Sequence, residues 1–229
     1  MLGKTKHTQL IILIDPDKYD QELIKLANQC KVAYIFVGGS SLKQNNFEKT
    51  IRSIKSRTKI PVVIFPGDES QISKSANALL MLSLLSGRNA EYLIGKHVAA
   101  ASKIKASKLT VIPTGYILVS GGKKSTTQKV TKTKALSNKK EIVDTAIAGE
   151  LLGKKLIYLE AGSGAKTTLP LAIIYAVKKQ ISIPLIVGGG INTLEKAKEI
   201  MKAQPDYLVV GNALETDPDF LLRLNTLFV

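Results

Sequence analysis

Eight short apolar runs, separated by segments of helical period, constrain this chain more than any other feature. Gln9–Ile14, Val32–Val37, Pro61–Phe65, Ala78–Leu84, Leu109–Val119, Leu156–Glu160, Pro184–Val187 and Tyr207–Val210 each read as a strand buried on both faces. Helical patterns lie between them at Tyr19–Gln29, Asn46–Ser56, Glu91–Ala106, Lys139–Leu152, Thr168–Lys179 and Thr193–Ala203. A final helix is predicted after Asp217, its cap, with Pro218 at its start. Strict alternation implies parallel strands joined by crossover helices. Eight such units in 229 residues predict one α/β domain over residues 1–229, a closed (β/α)8 TIM barrel. A doubly wound open sheet is the alternative. The alternation breaks once. After Pro66-Gly67-Asp68 the stretch Glu69–Asn77 is polar and short, so the third helix is expected to be missing or degraded.

In such a barrel, function gathers at the C-terminal ends of the strands. The last two ends are rich in glycine: Val187-Gly188-Gly189-Gly190-Ile191 and Val210-Gly211-Asn212-Ala213. Backbone without Cβ atoms lets a ligand approach the main-chain N–H groups, and the loops after strands 7 and 8 commonly hold phosphate. Strand 1 ends at Asp15-Pro16-Asp17-Lys18 and strand 2 at Gly38-Gly39-Ser40-Ser41. Asp15 and Ser40 on neighbouring strands are an oxygen pair for one hard cation, and magnesium takes few protein oxygens when phosphates complete its shell. The plainer alternative is an Asx turn of Asp15 and Asp17 about Pro16. Strand 6 ends at Tyr158-Leu159-Glu160-Ala161-Gly162-Ser163-Gly164. Tyr158 and Glu160 share a face at period two, a pair suited to holding and deprotonating a substrate hydroxyl, or else a core tyrosine beside a helix-capping acid.

Charge narrows the partners. The chain carries 33 Lys and Arg against 18 Asp and Glu, a net charge of +15. Only Arg52, Arg57, Arg88 and Arg223 are arginines. Lysine dominance and the absence of Trp argue against nucleic-acid readout, which favours Arg forks and aromatic platforms. An anionic substrate or an anionic membrane surface suits the charge, as does a merely solvated face. The stretch Ser120–Leu136 has Gly, Lys and Thr but no apolar period, and reads as a mobile loop. The single Cys30 excludes an intramolecular disulfide and fits a reducing cytoplasm. His7 and His97 lack companions at zinc-ligand spacing, and no apolar run reaches the length of a membrane span. A cytoplasmic location is expected.

Taken in order, Leu13-Ile14-Asp15-Pro16-Asp17-Lys18, Phe36-Val37-Gly38-Gly39-Ser40, Pro113-Thr114-Gly115-Tyr116, Tyr158–Gly164, Gly188–Ile191 and Val210–Ala213 resemble the geranylgeranylglyceryl phosphate synthase family, which includes the heptaprenylglyceryl phosphate synthases. Tyr-Leu-Glu-Ala-Gly-Ser-Gly is the specific element, and Pro-Thr-Gly-Tyr is similar to the family's second group. The resemblance implies a prenyltransferase of ether phospholipid biosynthesis. The 3-hydroxyl of sn-glycerol 1-phosphate would capture C1 of geranylgeranyl diphosphate, or of a longer heptaprenyl diphosphate, and diphosphate would leave. It implies Mg2+ at Asp15 and Ser40, and glycerol 1-phosphate at Tyr158, Leu159, Glu160, Ala161, Gly162, Ser163, Gly164, Gly189, Gly190, Gly211 and Asn212. Glu160 would be the base and Tyr158 would orient the substrate. Members are dimers or hexamers, so a homo-oligomer is implied. A degraded third helix agrees with the break after Asp68 and would open a prenyl groove, with Ala78–Leu85, Ala99–Ala101 and Ile117–Val119 as candidate walls. Two other readings compete: a different sugar-phosphate barrel enzyme, for which a strand-end Schiff-base lysine is lacking, and a basic RNA binder, which leaves Asp15, Asp68 and Glu160 unexplained.

Overall fold

The computed structural model describes residues 1–39, 42, 46–122 and 124–228. Eight strands close into a barrel in sequence order, all neighbours parallel, with the last pairing back to the first. They are β1 (Gln9–Ile14), β2 (Val32–Val37), β3 (Val62–Ile64), β4 (Ala78–Leu84), β5 (Thr110–Leu118), β6 (Leu156–Glu160), β7 (Leu185–Gly188) and β8 (Tyr207–Val210). Around them lie α1 (Gln21–Gln29), α2 (Phe47–Lys55), α3 (Lys96–Ser107), α4 (Thr126–Thr131), α5 (Lys139–Leu151), α6 (Leu171–Gln180), α7 (Leu194–Met201), α8 (Asn212–Thr216) and α9 (Phe220–Asn225). The closed barrel replaces the open-sheet alternative.

Period two divides the strand side chains between two cores. Ile11, Phe36, Val63, Leu80, Tyr116, Tyr158, Ile186 and Val209 fill the barrel interior. Ile12, Ile35, Ile64, Leu79, Ile117, Leu159, Val187 and Leu208 face the helices. Each fully buried residue of this size contributes about 1.5–3 kcal/mol, so both layers are needed to hold the barrel closed. The N-terminal residues stopper the lower end. Leu2 is buried in the interior cluster, the Tyr34 hydroxyl donates to Met1 O at 3.0 Å, and the Tyr207 hydroxyl donates to Gly3 O at 2.9 Å.

The β3–β4 connection has no helix over residues 65–77, as the sequence pattern predicts. It is tied down nonetheless. Asn77 Oδ1 accepts from Val62 N and Lys55 Nζ, both at 2.9 Å, and Ser75 Oγ donates to Glu48 Oε1 at 3.0 Å. These bonds satisfy polar groups that a missing helix leaves beside β3.

The Lys-rich stretch departs from its reading as a mobile loop. Residues 126–131 form α4, because Ser125 and Gln128 make a reciprocal capping box: Gln128 N donates to Ser125 Oγ at 3.2 Å and Ser125 N to Gln128 Oε1 at 2.9 Å. Beyond it, Ser120 N donates to Leu136 O and Leu136 N to Leu118 O, at 2.8 and 2.9 Å, fastening both ends of the stretch to the end of β5. A helix of six residues is too short to show an apolar period. The last helix also begins later than predicted, at Phe220, although Asp217 Oδ1 still accepts the Phe220 amide at 3.2 Å.

Candidate active site

A polar cavity of about 670 Å³ opens at the C-terminal ends of the strands. Its lining draws on nearly the whole ring: Asp15, Asp17 and Lys18 after β1, Gly38 and Gly39 after β2, Tyr158, Glu160, Ser163 and Gly164 from β6, Gly189 and Gly190 after β7, and Gly211 and Asn212 after β8. Most of the candidates read from the sequence therefore converge on one chamber. Leu159 and Ala161 do not. They pack in the layer between strands and helices, because neighbours in a strand point to opposite faces. Gly162 acts through its backbone alone, as described next. Ser40 lies outside the described residues.

Glu160 closes β6 at the mouth and is buried. Its Oε1 accepts the Gly162 amide at 2.8 Å. Burial pushes its pKa up to about 7, against the opposing pull of the Gly162 amide and Tyr158. Such a carboxylate is poised to take a proton near neutrality. Tyr158, fully buried one pleat below, makes no hydrogen bond of regular geometry, though its hydroxyl is close enough to influence Glu160. Burial and then the Glu160 charge raise the phenol well above its usual value, so it stays protonated.

The glycines of β7 make this geometry possible. A Cβ on Gly189 would overlap Glu160 Oε1, and its φ of +90° is one that residues with side chains rarely adopt. On the far side of the cradle, Ser163 Oγ donates to Asn212 Oδ1 at 3.0 Å, linking the ends of β6 and β8. Lys18 Nζ donates to Glu215 Oε2 at 2.6 Å, linking β1 to α8.

Asp15 Oδ1 accepts the Asp17 amide at 3.0 Å, so the Asx turn of the plainer sequence reading is formed. The carboxyl still borders the cavity. Burial raises its pKa, with the nearby Asp17 and Glu215 charges acting in the same direction and the Asp17 amide and Lys18 against it. A half-buried carboxylate held against its own charge suits a cation. No group of three or more His, Cys, Asp and Glu capable of holding a metal occurs among the described residues. The donor set fits magnesium held chiefly by phosphate oxygens, and does not fit a cation caged by protein alone.

An apolar groove adjoins the chamber where the third helix is missing. Phe65, Ile72, Leu79–Leu82, Leu84, Tyr92, His97, Ala100 and Ile104 line it, with Val130 and Thr131 of α4 along one edge. Gly39, Phe65, Tyr116 and Thr127 border both spaces. Of the walls named from the sequence, Leu79–Leu82, Leu84 and Ala100 line the groove, whereas Ala78, Ser83, Leu85, Ala99 and Ala101 do not and Ile117–Val119 lie elsewhere in the core. Phe65, Tyr116 and Tyr158 meet edge to face, with ring centroids 5.3–5.7 Å apart. Sequence reasoning gave Phe65 and Tyr116 no role. Both stand at strand ends already singled out, and an aromatic at such a position was the available signal.

Fold and chamber together define a (β/α)8 barrel enzyme with glycine-rich loops at the mouth, a buried carboxylate and an apolar groove leading away. Residues 3–226 match the PcrB family, and the chain belongs to that family. It is 49% identical over 218 residues to geranylgeranylglyceryl phosphate synthase of Flavobacterium johnsoniae, covering 92% of this chain and 89% of that protein. It is 38% identical to the protein of the same name from Pyrococcus furiosus, covering 90% of this chain and 84% of the relative. The crystal structure of (S)-3-O-geranylgeranylglyceryl phosphate synthase from Thermoplasma acidophilum in complex with sn-glycerol-1-phosphate superimposes with a TM-score of 0.88 at 33% identity, over 96% of this chain and 91% of that one. A thiamine phosphate pyrophosphorylase from Pyrococcus furiosus, at 12% identity and a TM-score of 0.58, shares the fold alone. No helix among the described residues is long and apolar enough to cross a membrane.

Proposed function

We propose that this protein is a prenyltransferase that forms an ether between sn-glycerol 1-phosphate and geranylgeranyl diphosphate. The C1–O bond of the prenyl diphosphate breaks, diphosphate departs, and the glycerol 3-hydroxyl oxygen bonds to C1 while its proton passes to Glu160. One observation carries this reading: the polar chamber and the apolar groove meet at Tyr116, close enough to Glu160 for the carboxylate to raise the tyrosine's pKa beyond what burial does. A polar phosphate alcohol and a long apolar chain need such adjoining spaces, with a base at the junction.

The chain's own residues divide the work. The backbone of Gly189, Gly190 and Gly211, joined by Asn212 and Ser163, receives the phosphate of glycerol phosphate. Tyr158 and Glu160 orient its hydroxyl, and Glu160 accepts the proton. The rings of Phe65, Tyr116 and Tyr158 face positive character developing at C1, an arrangement worth about 0.5–2 kcal/mol per favourable contact. Asp15, with Ser40, is the candidate holder of Mg2+, which when bound neutralises the charge of the departing diphosphate. Holding both reactants in adjoining spaces makes the step effectively unimolecular.

Two interactions belong to the same proposal. Exposed Ile94, Val98, Leu151 and Leu152 support self-association into a homo-oligomer, dimer or hexamer, checked by light scattering. Lys129 and Lys132, with exposed Val130, lie on or just after the helix edging the groove, and support peripheral contact with an anionic membrane. Substituting lysines 124, 129, 132 and 134 with Gln and measuring sedimentation with anionic liposomes tests it, and unchanged binding would sink it.

The decisive assay supplies labelled glycerol 1-phosphate, magnesium and prenyl diphosphates of graded length. Ether product from the C20 substrate is expected. A preference for C35 would overturn the chain length, and no product with any length would overturn the reaction.

A further inference from the structure

Gln71 sits in the helix-less β3–β4 connection, fully buried, and no step of the proposed chemistry employs it. Both polar atoms of its amide turn to one residue of the loop after β2. Nε2 donates to Gly39 O at 2.9 Å, and Oε1 accepts the Gly39 amide at 3.3 Å. Gly38 N, donating to Ile14 O at 3.1 Å, makes the last ladder bond before that loop leaves the sheet. Past this point Gly39 relies on Gln71 in place of a neighbouring strand.

What Gly39 borders gives this clamp its meaning. Gly39 lines both the polar chamber and the apolar groove. A Cβ built on it would stand 3.6 Å from Asp15 Oδ1. Gln71 is itself braced, its backbone N–H donating to Asp68 O at 3.2 Å in a turn where Asp68 Oδ1 also accepts Ser70 N at 2.8 Å. The stretch that lacks helix 3 thus opens the groove and returns a glutamine to hold the neighbouring loop. A buried amide is costly unless satisfied, and among the described residues its side-chain partners are loop backbone beside the candidate cation site.

We propose that Gln71 is a positioning residue for the diphosphate end of the prenyl substrate. It fixes the Gly39 backbone beside Asp15 so that this end of β2 meets the ligand already in shape. This rests on the prenyltransferase reading for the identity of the ligand. The role itself is a property of the anion site.

The test uses Gln71→Met, which keeps the volume and removes both hydrogen bonds. Calorimetric titration with inorganic pyrophosphate and magnesium should show affinity falling about tenfold, as expected for two neutral hydrogen bonds. Titration with glycerol 1-phosphate should stay within about twofold, and in turnover KM for prenyl diphosphate should rise with kcat nearly kept, the split expected of lost ground-state positioning. Unchanged pyrophosphate affinity, or an equal fall for both ligands, overturns the proposal. Hydrogen exchange of the unaltered protein supplies a readout that needs no variant. The Gly39 amide should be protected, and exchange at the rate of a free loop overturns the clamp. If the unaltered protein makes no ether but Gln71→Met still weakens pyrophosphate selectively, the catalytic reading fails and the role of Gln71 stands. If ether forms and Gln71→Met binds pyrophosphate normally, the reverse holds.

Discussion

Gly188 leaves the space that the Tyr158 hydroxyl occupies: a methyl group on Gly188 would stand 2.5 Å from that oxygen and 2.9 Å from Glu160 Oε2. Strand β7 thus gives up a side chain so that β6 can present two. Gly188→Ala should displace the tyrosine or the carboxylate, since both are buried. Overpacking of this kind costs about 1–3 kcal/mol. We expect a lower melting temperature and turnover reduced at least about tenfold, because misplacing a catalytic group by a fraction of an ångström is expensive. Unaltered turnover in a folded Gly188→Ala protein would show that Tyr158 and Glu160 need not keep this geometry.

Removing the base should separate chemistry from binding. Glu160→Gln keeps an oxygen to accept the Gly162 amide, so the turn after β6 should survive. The proton acceptor is lost, and general-base catalysis contributes about 10²–10⁴-fold. We expect kcat to fall in that range while glycerol 1-phosphate binds nearly as before. Single-turnover rates and titration of the substrate analogue check the two halves. A comparable loss in both would recast Glu160 as a binding group.

Glu160 also links pH to activity and stability in opposite directions. Its pKa lies at about 7 in the folded barrel against an ordinary value of 4.5, with burial as the main cause. The rate should therefore rise with pH to a plateau above about 7, as the base loses its proton. Between the two values the folded protein holds a proton that the unfolded chain has released, so stability falls as pH rises. The full difference is about 3 kcal/mol at most. Glu160→Gln should erase the acid limb of the rate profile. It should also melt higher than the unaltered protein at pH 8 and no higher near pH 4.5, in thermal scans across that range.

Particular residues show why some of this was legible in sequence and some was not. The eight strands and the gap after Asp68 follow from local pattern, because a strand buried on both faces must be short and continuously apolar. Asp15, Tyr158, Glu160 and the glycines of β7 and β8 are at strand ends, which the barrel gathers in one place whatever the loops do. Helix α4 was missed because its signal lay in Ser125 and Gln128 rather than in an apolar period. Leu159 was placed in the site because a motif is continuous in sequence, whereas a strand divides its residues between two faces. Gln71 lay beyond local reading altogether. Its partner is 32 positions away, and nothing in the residues around it announces the pairing.

The opposite end of the barrel should govern stability without touching turnover. Asp206, immediately before β8, has a side chain with no exposed surface. It accepts the Leu185 amide at 2.8 Å, the Thr5 amide at 3.0 Å and Lys178 Nζ at 2.7 Å. Burial opposes its charge, but the lysine and the two amides outweigh burial and hold its pKa below the ordinary value. A depressed acid stabilises the fold above the unfolded value near 4, and that contribution is lost as pH falls through the lower folded value. Asp206→Ala leaves a partly buried ammonium and two amides without their acceptor, at a cost of about 3–5 kcal/mol. Asp206→Asn keeps one acceptor and should cost less. Both should flatten the acid side of the stability profile while leaving kcat and both KM values unchanged well below the melting temperature. A change in kcat for Asp206→Asn under those conditions would mean that the stoppered lower end of the barrel communicates with the mouth.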